Sequence, residues 1–315
     1  MQPSIFMSVS FFVCFCKTLT KWENIIINKR WVFFLEELIF EKGTVYLNIP
    51  ADEIKRLLEL KHNKEAYLLC DEDTKLLVNY LSRLSNNKIR DCREAIQIFR
   101  NSEFAKYSNL SVKPDFVFLS ETKSYCQEIS EKFGIFCISN DIHLDVKNTM
   151  VTLTVLDKDE VLNLNDFNFL PKSNSLLIED PYIIDNDEKG EFIDSLLSIF
   201  YPSNLQIKNF YLTIVYSSQK GIKTDVIRNR LERKYKLLCI DFIEKKDLHD
   251  RNIYSNSFWI SCGFGFNKSY KKPTKWEIFP LAIYFSEYKK RLKAITKSSD
   301  FQKLNNPLVR LNQTV

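Results

Sequence analysis

The sequence lacks the cysteine and histidine patterns of metal sites. Its eight cysteines include no C-x-x-C pair, and its three histidines lie far apart, at positions 62, 143 and 249. A structural zinc site needs four such ligands, usually in closely spaced pairs. We therefore expect no zinc site, no disulfide framework and no cofactor. Most of the cysteines lie within apolar runs, which indicates buried free thiols in a reducing cytoplasm.

A long apolar run is also missing. Residues 5–16 are apolar but fall short of the roughly 20 residues that span a bilayer, and no positive charge precedes them. The segment also lacks the small-residue cleavage site of a signal peptide. We expect a buried strand or helix here, no transmembrane segment and a cytoplasmic protein. Peripheral attachment to a membrane is the alternative.

Charge is nearly balanced overall but concentrated at one end. The net charge is +5, yet residues 268–315 hold 11 Lys and Arg against three acids, a net charge of +8. Such a segment can face a polyanion, and its Trp276, Tyr284 and Tyr288 can stack on bases or lie at a lipid interface. The alternative is the solvated face of a C-terminal helix.

The length of 315 residues suggests two domains. Residues 20–150 alternate short apolar runs with amphipathic stretches, a β-α-β rhythm. The runs at 31–34, 44–47, 66–70, 115–119 and 134–138 are predicted strands, and 52–60, 73–84 and 121–133 are predicted helices. We place an α/β domain with a polar linker at 1–170, a second α/β domain at 171–290 and a basic tail at 291–315.

Acidic residues at predicted strand ends invite a metal-dependent nuclease interpretation. Asp71, Asp73 and Glu121 are the candidates, but Asn48 stands where such a site expects an acid after the first strand. Helix N-caps and turns explain these acids better, because Asp and Glu are favoured there.

The second domain is predicted to open with a strand at 176–180 and to continue with strands at 210–216, 236–242, 251–255 and 257–262. Helices are predicted at 191–200 and 224–234. This alternation again indicates an α/β sandwich.

One polar motif lies in this domain: H-x-R, four residues, Asn, six residues, then G-F-x-x-N. It places His249, Arg251, Asn256, Gly263 and Asn267 at fixed spacing. In a strand, side chains two residues apart point to the same side, so a histidine and a cation can meet one phosphate. The alternative is a satisfied surface histidine beside a local Asp-Arg ion pair.

The motif resembles that of the phospholipase D superfamily, H-x-K, four residues, Asp, six residues, then G-S-x-x-N, with every spacing kept. Arg251 keeps the positive charge, Asn256 replaces an Asp as in the tyrosyl-DNA phosphodiesterases, and Phe264 replaces a Ser. The resemblance implies a histidine nucleophile at His249, charge stabilisation by Arg251 and Asn267, and orientation of His249 by Asn256.

Residues 178–183, which open the domain, and residues 249–251 followed by 263–266 near its end resemble one branch of that superfamily most closely. This branch is the C-terminal domain of ESCRT-associated MIT-domain proteins and its bacterial relatives. This branch implies phosphate binding more firmly than catalysis. Asp180 either orients His249 or opens a turn, because Asp-Pro is also a common turn. Further expected ligand-binding residues are Tyr182, Gly263, Gly265, Lys271 and Lys272.

Two functions follow from these observations. The first is a phosphodiesterase acting through a phosphohistidine at His249, with nucleic acid as the favoured substrate. Because only one motif copy is present, a homodimer would supply the second histidine. The second is a non-catalytic module that binds a phospholipid headgroup or nucleic acid.

Overall fold

The computed structural model describes residues 3–21, 29–84, 89–140, 154–158, 167, 170–207, 209–217, 224–263 and 274–310. The chain forms two compact units. The first comprises residues 1–129 and 137–151, and the second comprises 130–136 and 152–315. Each unit is built on its own sheet.

The first unit contains a parallel five-stranded sheet in the order β3-β2-β1-β4-β5. The strands are β1 Ser4–Met7, β2 Thr44–Leu47, β3 Ile89–Asp91, β4 Phe116–Leu119 and β5 Cys137–Ser139. Most strand residues are buried, as expected of a parallel sheet covered on both faces. Residues 5–16, expected as a strand or a helix, contribute to both β1 and the first helix.

Helices connect these strands. They are α1 Val9–Thr20, α2 Lys29–Glu36, α3 Ala51–Leu60, α4 Lys64–Leu69, α5 Glu72–Leu81, α6 Arg93–Arg100, α7 Phe104–Asn109 and α8 Lys123–Phe133, with a π-helical turn at Glu37–Lys42 after α2. Gly134 ends α8 at a φ of 58°, and a Cβ there would lie 2.7 Å from the Cβ of Asn174.

Two predicted strands in this unit are wrong. Residues 31–34 lie in α2, where Trp31, Phe34 and Leu35 are buried at helical rather than alternating spacing. Residues 66–70 lie largely in α4, which Asn63 caps by accepting a hydrogen bond from the Ala66 N–H at 3.2 Å. Both short apolar runs fit a strand or a helix by periodicity, and local capping and packing make them helical.

The second unit contains a mixed seven-stranded sheet in the order β6-β12-β11-β10-β7-β8-β9. Its strands are β6 Thr154–Lys158, β7 Ser175–Glu179, β8 Phe210–Tyr216, β9 Leu238–Glu244, β10 Asn252–Ser255, β11 Phe258–Cys262 and β12 Thr274–Pro280. Strands β7, β8 and β9 are parallel, and the remaining pairs are antiparallel. β6 lies within the stretch interpreted as a linker and pairs with β12.

The helices of this unit are α9 Ile183–Asn186, α10 Glu191–Phe200, α11 Thr224–Lys234, α12 Leu281–Ile295 and α13 Pro307–Arg310, with a 3₁₀ helix at Ser299–Lys303. α10 and α11 have the predicted bounds. The Tyr288 hydroxyl of α12 donates to the Ser255 carbonyl of β10 at 3.1 Å. The expected α/β class is confirmed for both units.

Residues 291–310, interpreted from the sequence as a basic tail, are folded into the second unit. Phe301, Leu308 and Val309 are buried. The Asn306 side-chain amide donates to the Leu176 carbonyl at 2.9 Å and the Thr213 hydroxyl at 3.0 Å, which ties the segment to β7 and β8. Within the described residues, no helix is both long and apolar enough to cross a membrane.

Candidate functional site

His249 lies at the carboxyl edge of the parallel strands of the second unit. β10 is antiparallel to β7 and pairs Asn252 with Glu179, so the segment before β10 lies where β7 ends. Open α/β sheets bind ligands at this edge, where strand ends and loops leave a crevice. His249 is exposed and makes no hydrogen bond with the described residues.

A pocket of about 360 Å³ opens beside this histidine. Its walls come from four places: the end of β7, the segment between β9 and β10, β10 itself and α12. Its polar and charged lining residues are Glu179, Lys245, Asp247, His249, Asp250, Tyr254 and Arg291. The pocket therefore combines an imidazole, a buried carboxyl group, two aspartates, a tyrosine hydroxyl and two cations.

Glu179 is held in this wall by donors from β10. Its Oε2 accepts hydrogen bonds from the Asn252 amide nitrogen at 2.8 Å and the Tyr254 hydroxyl at 3.5 Å. The Asn252 side-chain oxygen accepts from the Trp259 indole N–H at 2.8 Å, which fixes the orientation of the amide. Glu179 on β7 pairs directly with Asn252 on β10, and Trp259 on β11 pairs with Tyr254, two residues after Asn252. The three side chains of Glu179, Asn252 and Trp259 therefore lie on one face of the sheet.

Burial is the largest influence on the pKa of this carboxyl group. Glu179 is 4% exposed. Desolvation raises the pKa of Glu179, while the hydrogen bond from Asn252 and the charge of Lys245 lower it in part and Asp250 raises it further. Burial likewise raises the pKa of the neighbouring Tyr254, and the charge of Glu179 adds to that effect. Tyr254 therefore acts as a neutral donor at physiological pH.

The two cations are held in different ways. Arg291 lies on α12 with its guanidinium carbon 4.5 Å from the centre of the Trp259 ring, and its Nε donates to Glu287 at 3.1 Å. The terminal nitrogens of Arg291 make no hydrogen bond with the described residues. Lys245 follows β9 and makes no ion pair with the described residues. Both can therefore bind an anion in the pocket.

Arg251 has different surroundings from His249. It does not line the pocket of about 360 Å³. Its Nη1 donates to the Gly263 carbonyl at 3.2 Å, its guanidinium carbon lies 5.4 Å from the centre of the Tyr182 ring, and its buried Nε has no hydrogen-bond partner among the described residues. Convergence of His249 and Arg251 on one phosphate stays a prediction.

Asn256 lies at the far end of β10 from His249. Its side-chain oxygen accepts from the Ser173 hydroxyl and from the N–H groups of Asn174 and Ser175, both at 3.2 Å. The five residue steps from Arg251 to Asn256 span roughly 17 Å at about 3.3–3.4 Å per step in extended chain. The expected role of Asn256 in orienting His249 does not fit this position; its contacts hold the start of β7.

Asp180 opens a turn. Its carboxylate accepts from the Tyr182 N–H at 2.8 Å, and its own N–H donates to the Val215 carbonyl at 3.0 Å. The turn interpretation of Asp180 is supported by the hydrogen bond to Tyr182, and orientation of His249 by Asp180 stays a prediction. At Gly263 an added Cβ would meet no atom within 4 Å, so space is open there. Asn267, Gly265, Lys271 and Lys272 lie outside the described residues.

The aromatic residues expected to stack on a ligand are mostly in the core. Trp276 and Tyr288 are each 1% exposed, and the Tyr284 ring packs edge-on against Phe279 with centres 5.0 Å apart. Trp276 and Tyr288 therefore cannot serve as a stacking surface. Basic side chains remain exposed on α12, as the interpretation of a solvated helix face expects.

The acids of the first unit have structural partners. Asp71 caps α5 by accepting from the Thr74 N–H at 2.8 Å, Asp73 pairs with Lys17 at 2.7 Å, and Glu121 pairs with Arg100 at 2.6 Å. In the described parts of both units, no group of His, Cys, Asp and Glu could hold a metal ion. The capping interpretation is correct for Asp71.

Glu179 and Arg291 are site residues that the sequence analysis did not single out. Glu179 reaches the site through the pairing of β7 with β10, and Arg291 through the packing of α12 on the sheet, which are both long-range contacts. One signal was present: an acid directly follows the apolar run Leu176, Leu177 and Ile178. A carboxyl group in a buried strand needs a specific partner.

No profile of a known protein family matches this sequence, and neither does any curated protein. Among solved structures, yeast tyrosyl-DNA phosphodiesterase is similar to part of the chain, with 16% identity and a TM-score of 0.29. A mutant of the same yeast enzyme gives 14% identity and a TM-score of 0.28. Each similarity covers 50% of this chain and 41% of the yeast chain, so the matched part is less than half of the yeast enzyme.

Proposed function

We propose that the second unit binds a phosphodiester in the pocket beside His249 and cleaves it through a phosphohistidine. The observation that carries this proposal is the placement of His249. An exposed imidazole that makes no hydrogen bond with the described residues lines a pocket that also holds Lys245 and Arg291, at the ligand-binding edge of an α/β sheet. We also propose that this unit is phospholipase D-like and most similar to the C-terminal domains of MIT-domain proteins, on the motif spacing.

The chemistry divides among these residues. A ring nitrogen of His249 attacks phosphorus, and the two cations stabilise negative charge on the oxygens that do not react. Water then cleaves the phosphohistidine. The leaving oxygen needs a proton donor, which must come either from His249 of a second subunit in a two-fold dimer or from another acid of the same pocket.

Nucleic acid is the substrate class that we favour. The net charge of +8 over residues 268–315 suits a polyanion better than a small diester. Arg291, which lines the pocket, belongs to this segment.

A non-catalytic phosphate binder is the second candidate, and one observation favours it. Arg251, the cation of the motif, contacts Tyr182 and Gly263 rather than the His249 pocket. Under this proposal the ligand is a phospholipid headgroup or nucleic acid, and His249 contributes no chemistry.

Turnover of a chromogenic phosphodiester separates the two candidates. Wild type should hydrolyse bis(p-nitrophenyl) phosphate, His249→Ala should abolish hydrolysis, and His62→Ala in the first unit should leave it unchanged. A wild-type chain that releases no nitrophenol but binds an oligonucleotide or anionic vesicles would support the binder and overturn the enzyme.

A further inference from the structure

One carboxyl oxygen of Glu179 accepts hydrogen bonds, and the other makes none with the described residues. Oε2 accepts from both Asn252 and Tyr254, whereas Oε1 makes no hydrogen bond with the described residues. A protonated carboxyl group has one accepting oxygen and one donating hydroxyl. With two donors on Oε2, the proton belongs on Oε1.

We propose that Glu179 is the general acid that protonates the leaving oxygen when His249 attacks a phosphodiester. This rests on the proposed function, and it places nucleophile and acid in one subunit, because both residues line the same pocket. A second copy of His249 is then unnecessary. Asn252 acts as a positioning residue, held in turn by Trp259.

The groups around Glu179 suit this role. Burial raises the pKa of Glu179, so the acid form persists above the ordinary range of a glutamic acid. The charged and titratable groups that line the same pocket are Lys245, Asp247, His249 and Asp250 from the β9–β10 segment, Tyr254 on β10 and Arg291 on α12. An anionic substrate between Lys245 and Arg291 would raise the pKa of Glu179 further.

The reaction balances with water alone. A nitrogen of His249 forms a bond to phosphorus as the bond from phosphorus to the leaving oxygen breaks, and that oxygen takes the proton of Glu179 to leave as an alcohol. Water then attacks phosphorus and gives a proton to the Glu179 carboxylate, while the bond from His249 to phosphorus breaks. One water is consumed, and the enzyme returns to its starting protonation state.

Two substrates with different leaving groups test the role of Glu179. Bis(p-nitrophenyl) phosphate releases a stable phenolate that needs no proton, whereas a dinucleotide releases a sugar alkoxide that does. In single-turnover measurements, Glu179→Gln should slow the first release of the leaving group from the dinucleotide by about 100-fold or more, given the usual contribution of general acids. The first release of nitrophenolate should slow by less than about tenfold. This first step is compared because Glu179 also takes part in the later hydrolysis of the phosphohistidine. The glutamine oxygen can still accept from Asn252 and Tyr254, so the fold should persist.

Asp241→Asn is the matched control. Asp241 lies on β9, its pKa is also raised by burial, and it does not line the pocket. This variant should cleave both substrates at the wild-type rate. For wild type, dinucleotide cleavage should also fall as pH rises through the pKa of Glu179, a step that Glu179→Gln should lack.

Equal losses on both substrates in the first release of the leaving group in Glu179→Gln would overturn the proposal, because they would mean that Glu179 does not protonate the leaving oxygen. No loss on either substrate would also overturn it. Failure of wild type to cleave either substrate would overturn the proposed function itself, an outcome distinct from the other two.

Discussion

At the scale of single residues, the partners of Asn256 decide what this motif position does. We expect Asn256→Ala to lower the free energy of unfolding by about 1–3 kcal/mol, because the Asn174 and Ser175 N–H groups lose their acceptor. Asn256→Asp keeps that acceptor and should stay near wild-type stability. Urea unfolding of the two variants tests this, and a stable Asn256→Ala that has lost all activity would contradict the structural role.

The buried carboxyl group of Glu179 should also make the free energy of unfolding depend on pH. The pKa of Glu179 is raised in the folded state, so between its unfolded and folded pKa values the native state holds more protons than the unfolded state. Stability from this group is therefore fully present below the unfolded pKa and is lost as pH rises through the folded pKa.

We expect the unfolding free energy of wild type to fall relative to that of Glu179→Gln across this pH window. Paired urea titrations from acid to neutral pH measure the difference. A difference independent of pH would mean that the pKa of Glu179 is not shifted by folding.

The sequence predicted only some of the residues that line the site. The spacing of the motif marked His249, whose loop position follows from its neighbours in sequence. The same spacing suggested Asn256 as a partner, but a four-residue strand separates the two positions. Glu179 and Arg291 become visible only when strand register and helix packing are known, and a single sequence specifies neither.

At the scale of elements, α12 presents an exposed basic face. Lys290 and Lys293 on α12, and Lys297 two residues after its end, are exposed. Replacing all three by Gln should flatten the dependence of log affinity on log salt for DNA by about 2 to 3, since each lost phosphate contact removes about 0.7–0.9 from the slope.

Fluorescence anisotropy with a labelled oligonucleotide at several salt concentrations measures this slope. The charge-matched control replaces Lys55, Lys61 and Lys64 of the first unit and should leave it unchanged. Equal slopes for wild type and the α12 variant would remove this face from the binding surface. Deleting residues after 290 is a poorer test, because it also removes the buried Leu292 and Phe301.

Elements with strong local signals were predicted well. α10 and α11 have clear helical spacing, and β8 is a continuous apolar run, so their bounds agree with the sequence analysis. β3 is three residues long with a single buried residue and carries too little pattern to predict. The strand predicted at 31–34 was wrong because a short aromatic run occurs in buried helices as well as in strands.

At the scale of the whole molecule, the two mechanisms differ in how many subunits one site needs. A shared site with His249 from each of two subunits requires a two-fold dimer. With Glu179 as the acid, each chain is complete. We expect the activity per mole of chain to stay constant from nanomolar to micromolar concentration, with sedimentation velocity recording the oligomeric state over the same range. Activity that rises with dimer formation would support the shared site instead.

The central claim is that His249 forms a covalent bond to phosphorus, and trapping that bond tests it most directly. Wild type mixed with excess bis(p-nitrophenyl) phosphate is quenched in alkali, where phosphohistidine survives, and analysed by peptide mass spectrometry. We predict one added nitrophenyl phosphoryl group on the peptide that contains His249 and none in His249→Ala. Two results would contradict the account. One is steady hydrolysis by wild type with no adduct at His249, and the other is hydrolysis by His249→Ala at the wild-type rate.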